Sequence, residues 1–143
     1  MSQEPIQNLI DIPFSVPFVH RLRVTDDITG DDFTQLLSVL DCGDVGPAKV
    51  LVVSESALAT STQKIGDRLR KTDSIDLVRD PLLIGGGEEI KNSTAVVKQL
   101  LNEINNANLD RRSYIVAIGG GAMLDVVGYA AAIAHRGIRL VRL

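Results

Sequence analysis

Residues 114–125 have the sequence Tyr-Ile-Val-Ala-Ile-Gly-Gly-Gly-Ala-Met-Leu-Asp, and this stretch decides the fold. Five apolar residues form a short run typical of a buried strand, and three glycines then lead into a predicted helix over 122–135. Glycine tolerates positive φ and lets a ligand approach the backbone, while a helix start offers unpaired N–H groups and a positive dipole end. The stretch therefore predicts a strand, a turn suited to an anion such as pyrophosphate, and a helix. A tight turn that binds nothing is the structural alternative.

The segments on both sides repeat this pattern. Apolar runs at 49–53, 75–78 and 138–143 predict strands. Helical stripes lie between them, at Leu58, Thr62, Ile65 and Leu69, and again at Val96, Val97, Leu100, Leu101 and Ile104. Asn92 or Ser93 can cap the second of these helices, and Gly137 fits the end of the helix over 122–135. The order β-α-β-α-β-α-β predicts an α/β fold, a Rossmann-like open parallel sheet with helices on both faces.

The pattern is weaker towards the N-terminus. Residues 1–16 are polar and contain proline, which indicates a flexible lead-in, and residues 17–143 are predicted to form one domain. Apolar and polar residues alternate from Phe18 to Thr25, which predicts a half-exposed strand. Apolar residues at Phe33, Leu36, Leu37 and Leu40 then predict a helix.

Composition excludes several classes of function. A net charge of −3 and a pI of about 5.3 give no basic excess for nucleic acid. No apolar run is long enough for a membrane span, and the first residues do not have the pattern of a secretory signal. The single cysteine, Cys42, allows no internal disulfide and is interpreted as an ordinary loop thiol. A reducing, cytoplasmic location is therefore expected.

Charged residues near the glycines are candidates for ligand contacts. Asp125 lies one turn into the predicted helix, where it can either interact with the helix dipole or accept hydrogens from ribose or nicotinamide. Glu88 and Lys91 are three residues apart after the glycines at 85–87. They can form a plain surface ion pair, or Glu88 can accept from ribose hydroxyls while Lys91 supplies a nearby charge.

The two histidines do not indicate a metal site. His135 and Arg136 end the last predicted helix, where cations complement the helix dipole. Neither His135 nor His20 has a second ligand at metal-binding spacing. We therefore assign neither a metal ligand nor a catalytic residue within these 143 residues.

Three elements together resemble the 3-dehydroquinate synthase family. The first is Gly119-Gly120-Gly121-Ala122-Met123-Leu124-Asp125, which is followed by Gly128-Tyr129-Ala130-Ala131 and Arg136-Gly137-Ile138-Arg139. The second is Gly87-Glu88, two residues and Lys91, which is similar to the Gly-Glu-x-x-Lys element of the family. The third is the stretch 51–56, which is similar to the family's first strand and turn. The similarity covers about residues 48–143, with the elements in family order.

The resemblance implies a binding site for NAD. The residues that it places on the cofactor are Ser54, Ser56, Glu88, Lys91, Gly119, Gly120, Gly121, Ala122 and Asp125. Arg136 matches an arginine that binds the phosphate of a phosphorylated sugar across a homodimer interface in this family, a role that suits the guanidinium fork.

The resemblance also implies an activity and a missing part. In this family, NAD oxidises a ring hydroxyl of a sugar phosphate, phosphate is eliminated, the ketone is reduced again, and the ring recloses as a carbocycle. A divalent metal, zinc or cobalt, is expected only in the full-length protein, because its ligands lie in a C-terminal domain. We expect that this chain ends before that domain and is inactive alone. The acidic N-terminal stretch and residues 134–138 indicate a divergent branch with its own substrate.

Two alternatives stay open. Metal-containing polyol and alcohol dehydrogenases share a Gly-Gly-Gly-x-x-x-Asp turn, but they usually continue with a lysine where this chain has Val126 and Val127. The non-enzymatic alternative is an inactive nucleotide-binding fragment.

Overall fold

The buried apolar runs pair as strands of one parallel sheet. The computed structural model describes residues 10–41 and 46–143. Its five strands are β1 (Ala48–Glu55), β2 (Ile75–Leu77), β3 (Leu82–Ile84), β4 (Tyr114–Ile118) and β5 (Arg139–Arg142). Strand β1 pairs with β4 on one side, and β5 lies beyond β4. On its other side, β1 pairs with β2 at residues 48–50 and with β3 at residues 53–55.

Helices cover both faces of this sheet. They are α1 (Phe33–Val39), α2 (Ala59–Arg70), α3 (Thr94–Asn106) and α4 (Gly121–Ile133). Side chains alternate along a strand, so Val50 and Val52 face the core with α1 and α2, whereas Leu51 and Val53 face α3 and α4. The predicted open parallel sheet with helices on both faces is confirmed. Within the described residues, no helix has both the length and the apolar character needed to cross a membrane.

The ends of two helices follow from local chemistry. Ser93, one of the two predicted caps, is the N-cap of helix α3, and its hydroxyl accepts the N–H of Val96 at 3.3 Å. Helix α4 ends at Ile133, two residues before the predicted end. His135 and Arg136 have left-handed φ values of 46° and 68°, and Gly137 follows at 100°. The Gly137 N–H donates to the carbonyl of Ala134 at 2.7 Å, which closes this turn.

One strand prediction was wrong, and one strand was not predicted. The alternating residues 18–25 form no strand, because none of the strands described for this chain lies beside them to supply hydrogen bonds. Strand β3 was not predicted, because three residues after Pro81 are too few to show a period. Cys42 and residues 1–9 of the predicted lead-in lie outside the described residues. The rest of the lead-in, 10–16, is exposed and without regular structure.

Candidate functional site

The carboxyl ends of three neighbouring strands meet at one edge of the sheet. After β1 the chain runs to β2 and β3 on one side, and it then returns to β4 on the other side. Such a reversal of strand order opens a crevice at the carboxyl ends of the two strands involved. Glu55 ends β1, residues 85–87 follow β3, and residues 119–121 follow β4. We call these seven residues the glycine cleft.

The carboxylate of Glu55 lies inside the glycine cleft. Its Oε1 accepts the N–H of Gly120, the N-cap of α4, at 2.8 Å. A Cβ atom built on Gly86 would lie 2.8 Å from Oε2 of Glu55, and one on Gly119 would lie 2.9 Å from its Cγ. Gly120 has an ordinary φ of −75°. These glycines are therefore required by the close approach of Glu55 rather than by left-handed backbone.

The contact with Glu55 shows that the start of α4 binds a carboxylate oxygen. The first N–H groups of a helix have no intrahelical acceptor, and the helix dipole adds positive potential there. Gly120 and Gly121 are exposed, while Ala122 is buried beneath them. The turn therefore presents backbone donors to an anion, and Glu55 uses one of these donors.

Lys91 joins the two segments that the sequence brings to this site. Its Nζ lies 3.3 Å from Oε2 of Glu88 and 3.3 Å from Oδ2 of Asp125. The pKa of Lys91 is raised, first by the hydrogen bond with Glu88 and next by that with Asp125. Glu88 and Lys91 share a short 3-10 turn (Glu88–Asn92) that follows Gly87, whose φ is 95°. The Glu88–Lys91 ion pair that the spacing allows is present, and Asp125 extends it to α4.

A groove of about 470 Å³ lies beside this ion-pair cluster, between α3 and α4. Lys91 and Asp125 are part of its lining, together with Ser93, Val97 and Tyr129. An apolar groove with a few convergent polar groups is the usual form of a small-molecule site. The groove and the glycine cleft both include residues of α4.

The two serines of the first turn differ in position. Ser56 donates its hydroxyl hydrogen to the carbonyl of Ile84 at 3.0 Å, which ties the end of β1 to β3. Ser54 is fully buried, and its Oγ accepts from the Thr62 hydroxyl at 2.6 Å. Because Thr62 belongs to α2, the Ser54 side chain lies on the face opposite α4. The Ser54 hydroxyl is therefore not exposed in the glycine cleft.

Arg136 lies away from the other predicted site residues. Asp125 is near the start of α4 and Arg136 is beyond its end, roughly 15 Å further along the helix axis. The Arg136 residue itself is exposed. Within one chain, Arg136 therefore does not approach the glycine cleft. Among the described residues, no three His, Cys, Asp or Glu side chains come together as metal ligands.

Sequence reasoning missed Glu55. The residue lies within the stretch 51–56 that resembles the family's first strand and turn, but no role was assigned to it. An acidic residue at the carboxyl end of the first strand, directly before a crossover to α2, was the available signal. The contact with Gly120 spans 65 residues, so sequence spacing alone does not predict it.

Comparisons with known sequences agree with the motifs. Residues 81–143 match the family model described as 3-dehydroquinate synthase N-terminal. The 3-dehydroquinate synthase of Pelobacter propionicus is 38% identical over 96 residues, which are 66% of this chain and 25% of that protein. The enzyme of Rhodopseudomonas palustris is 27% identical over 130 residues, which are 91% of this chain and 33% of that protein. The chain thus spans a quarter to a third of these relatives.

Solved structures give the same result. A 2-deoxy-scyllo-inosose synthase complexed with carbaglucose-6-phosphate, NAD+ and Co2+ aligns with a TM-score of 0.60 and 26% identity, over 76% of this chain and 28% of that chain. The 2-epi-5-epi-valiolone synthase of Streptomyces hygroscopicus, with NAD+ and Zn2+ bound, aligns over 90% of this chain and 34% of that chain. Its TM-score is 0.60 and its identity is 19%, so it supports the fold alone. Residues 81–143 therefore belong to the 3-dehydroquinate synthase family, and the resemblance that the sequence motifs indicate is confirmed.

Proposed function

We propose that this chain carries the NAD-binding part of a sugar phosphate cyclase of the 3-dehydroquinate synthase type. One observation carries the proposal: Lys91 contacts both Glu88 and Asp125 at 3.3 Å. The Gly-Glu-x-x-Lys and Gly-Gly-Gly-x-x-x-Asp elements, which are far apart in the sequence, thereby form one site. The 2-deoxy-scyllo-inosose synthase with NAD+ bound supports the same choice of cofactor.

The residues of the site fit the chemistry of NAD. Exposed backbone N–H groups at Gly120 and Gly121 suit the pyrophosphate, because they lie at the positive end of α4. The carboxylates of Glu88 and Asp125 suit ribose hydroxyls or the nicotinamide amide, and Lys91 keeps these two carboxylates in place. Gly119 and Ala122 contribute backbone to the same turn, and Ser56 lies at the adenosine end. When bound, NAD would take a hydride from the substrate and later return it.

In this proposal, Ser54 stabilises the turn from the sheet face opposite α4. It does not contact the cofactor, because its hydroxyl is bonded to Thr62. Glu55 has to release the N–H of Gly120 before a phosphate oxygen can accept it. In the absence of a cofactor, the Glu55 carboxylate thus occupies the N–H that the cofactor would use.

The substrate and partners are proposed from the relatives. A phosphorylated sugar is the proposed substrate, since a relative binds carbaglucose-6-phosphate. We propose that Arg136 binds the substrate phosphate in a homodimer, which agrees with its distance from the glycine cleft of its own chain. A cytoplasmic location is proposed from the composition. The described residues do not fit a divalent metal, so its ligands and turnover are assigned to further residues of the full protein.

NAD binding measured by calorimetry tests the site. Gly120→Val places a branched side chain against Glu55, and Asp125→Ala removes one carboxylate of the cluster. Both variants should lose detectable NAD binding, whereas the exposed α2 variant Asp67→Ala should bind as the wild type does. Unchanged NAD affinity in both site variants would show that the assignment is wrong.

ADP separates the two parts of the site. It contains the pyrophosphate and the adenosine ribose but neither the nicotinamide nor its ribose. With Asp125 assigned to the nicotinamide half of the cofactor, Gly120→Val should weaken ADP binding while Asp125→Ala leaves it near wild type. Equal loss of ADP binding in both variants would contradict the separate roles. Phosphate release from sugar phosphates is not expected from these 143 residues, and metal-dependent turnover by them would contradict the proposed division of roles.

A further inference from the structure

The cluster of Glu88, Lys91 and Asp125 contains two carboxylates but only one ammonium group. The Nζ of Lys91 lies 3.3 Å from an oxygen of each carboxylate, and neither acid has another ion-pair partner among the described residues. The side chains of Glu88 and Asp125 are 82% and 59% exposed, so a ligand can reach both. The cluster therefore has a formal charge of −1 that no contact within it neutralises.

The charged side chains around the cluster do not reverse this sign. Glu55 lies in the glycine cleft, Glu89 lies in the same short 3-10 turn as the cluster acid, and Lys98 lines the groove. The cleft, the turn and the groove together contain four carboxylates and two ammonium groups, which is a net formal charge of −2. A negative potential of this kind attracts cationic groups and repels anionic ones.

An exposed aromatic ring lies next to the cluster. Tyr129 is 58% exposed and lines the groove together with Asp125, which precedes it by one turn on the same face of α4. An aromatic face with a carboxylate beside it recognises planar organic cations, because the ring quadrupole and the negative charge both attract positive charge. This part of the groove therefore suits a planar cation better than a neutral ring.

We propose that the cluster and Tyr129 select the oxidised form of the cofactor, NAD+, over NADH. The proposal rests on the NAD site proposed above, in which Asp125 is assigned to the nicotinamide half. The nicotinamide ring is positively charged in NAD+ and neutral in NADH, whereas the pyrophosphate, both riboses and the adenine are the same in the two forms. The contacts of the glycine turn with the pyrophosphate therefore cancel, and the charge around the ring decides the ratio of the two affinities.

Such a preference suits a cofactor that takes a hydride first and returns it later. Tighter binding of NAD+ lowers the reduction potential of the bound couple, so return of the hydride to the substrate is favoured over its retention. A fivefold preference corresponds to about 20 mV for a two-electron couple. The full protein would thereby keep its cofactor in the form that begins the next reaction.

The expected preference is modest, because the side chains of the cluster are partly exposed. Ion pairs at protein surfaces change an equilibrium constant by about twofold to fivefold. We therefore expect NAD+ to bind about fivefold more tightly than NADH at low salt. The ratio should fall as salt is added, because the Debye length shortens to about 3 Å at 1 M.

Calorimetric titration of the full 143-residue chain with NAD+ and with NADH measures this ratio. Glu88→Gln removes one negative charge and keeps the shape of the side chain, so the ratio should fall from about fivefold to about twofold. Lys98→Gln removes a cation that forms no ion pair with the cluster, so the ratio should rise above that of the wild type. Asp67→Asn on α2 is the matched control, since it changes the net charge as Glu88→Gln does and should leave the ratio unchanged.

Two substitutions of Tyr129 test the contribution of the aromatic ring. Tyr129→Leu keeps an apolar side chain but removes the ring face, so it should lower the ratio. Tyr129→Phe keeps the ring face and should bind both forms with the wild-type ratio. A ratio that falls equally in the two variants would assign the effect to the hydroxyl group and would reject the role of the ring.

Several results would overturn the selection of NAD+. Equal affinities for NAD+ and NADH in the wild type would do so, as would one common ratio in Glu88→Gln and Lys98→Gln. An equal fall in Asp67→Asn would show a general effect of net charge instead of an effect of the cluster. Binding of neither cofactor would reject the NAD site together with the selection, whereas equal binding of both would reject the selection alone.

Discussion

A methyl group on Gly119 should weaken the fold, whereas a methyl group on Gly121 should strengthen it. The two glycines are in the same turn, and neither has a positive φ. A Cβ on Gly119 would lie 2.9 Å from Cγ and 3.0 Å from Oε1 of Glu55, whereas one on Gly121 has no neighbour within 4 Å. The side chain of Glu55 can move towards solvent, so the expected cost is its lost hydrogen bond to Gly120 rather than a rigid clash.

The two substitutions are expected to change the free energy of unfolding in opposite directions. Loss of a capping bond costs about 1–2 kcal/mol. Replacing glycine by alanine stabilises the fold by about 0.4–1 kcal/mol, because it lowers the conformational entropy of the unfolded chain. Gly119→Ala should therefore lower the free energy of unfolding by about 1 kcal/mol. Gly121→Ala has no bond to lose at the start of α4, and it should raise the free energy of unfolding by about 0.5–1 kcal/mol.

Urea unfolding at a fixed protein concentration measures these differences, and a double-mutant cycle identifies their cause. In the Glu55→Ala background the bond to Gly120 is already lost, so Gly119→Ala should become neutral or stabilising. The coupling free energy between positions 55 and 119 should therefore be about 1 kcal/mol. Equal stability of Gly119→Ala and Gly121→Ala, or no coupling to Glu55, would refute the placement of this carboxylate.

Two further predictions concern Thr62 and Lys91. Thr62→Val removes the donor to the buried Ser54 hydroxyl, so the free energy of unfolding should fall by about 1–2 kcal/mol, with partial recovery on adding Ser54→Ala. NAD affinity should not change, and a loss measured by calorimetry would place Ser54 at the cofactor after all. Glu88 and then Asp125 raise the pKa of Lys91 above its ordinary 10.5, so its stabilising contribution is present below pH 10.5 and is lost as pH rises through the raised pKa. The Tm difference between wild type and Lys91→Met should be constant from about pH 7 to 9 and shrink in stronger alkali, and a difference that grows in alkali would contradict the ion-pair cluster.

The central part of the fold could be predicted because its signals are local. The run over 114–118 is apolar throughout and is followed by glycines, so the strand, turn and helix each have their own mark in the sequence. The cap at Ser93 is also local, since it depends on a residue three positions away. Strand β3 has no such mark. Its three residues are held by pairing with the end of β1, which the sequence around 82–84 does not record.

The candidate site could be predicted only in part, for the same reason. Glu88 and Lys91 are three residues apart, so their pairing follows from spacing. The contact of Lys91 with Asp125 depends on how α4 packs against the turn before α3, and that arrangement appears only in the folded chain. The alternation over 18–25 is a different case, because it predicts a strand that the structure does not contain. A period of two specifies which face is apolar, but it does not specify where the pairing strand comes from.

Glu55 connects the stability of the turn with the proposed binding of a cofactor. The N–H of Gly120 has no acceptor within the helix, and the folded chain supplies one from its own carboxylate. An incoming phosphate oxygen takes over a bond that already exists, so its net gain is smaller than that of a new hydrogen bond. The displaced carboxylate must then find donors elsewhere, because it would be repelled by the phosphate that replaces it. A ligand that brings hydroxyl groups together with its phosphates supplies such donors, whereas a fully ionised anion such as sulfate does not. The chemistry of the glycine cleft therefore favours a nucleotide over a simple anion, on the basis of a residue that the family motifs did not single out.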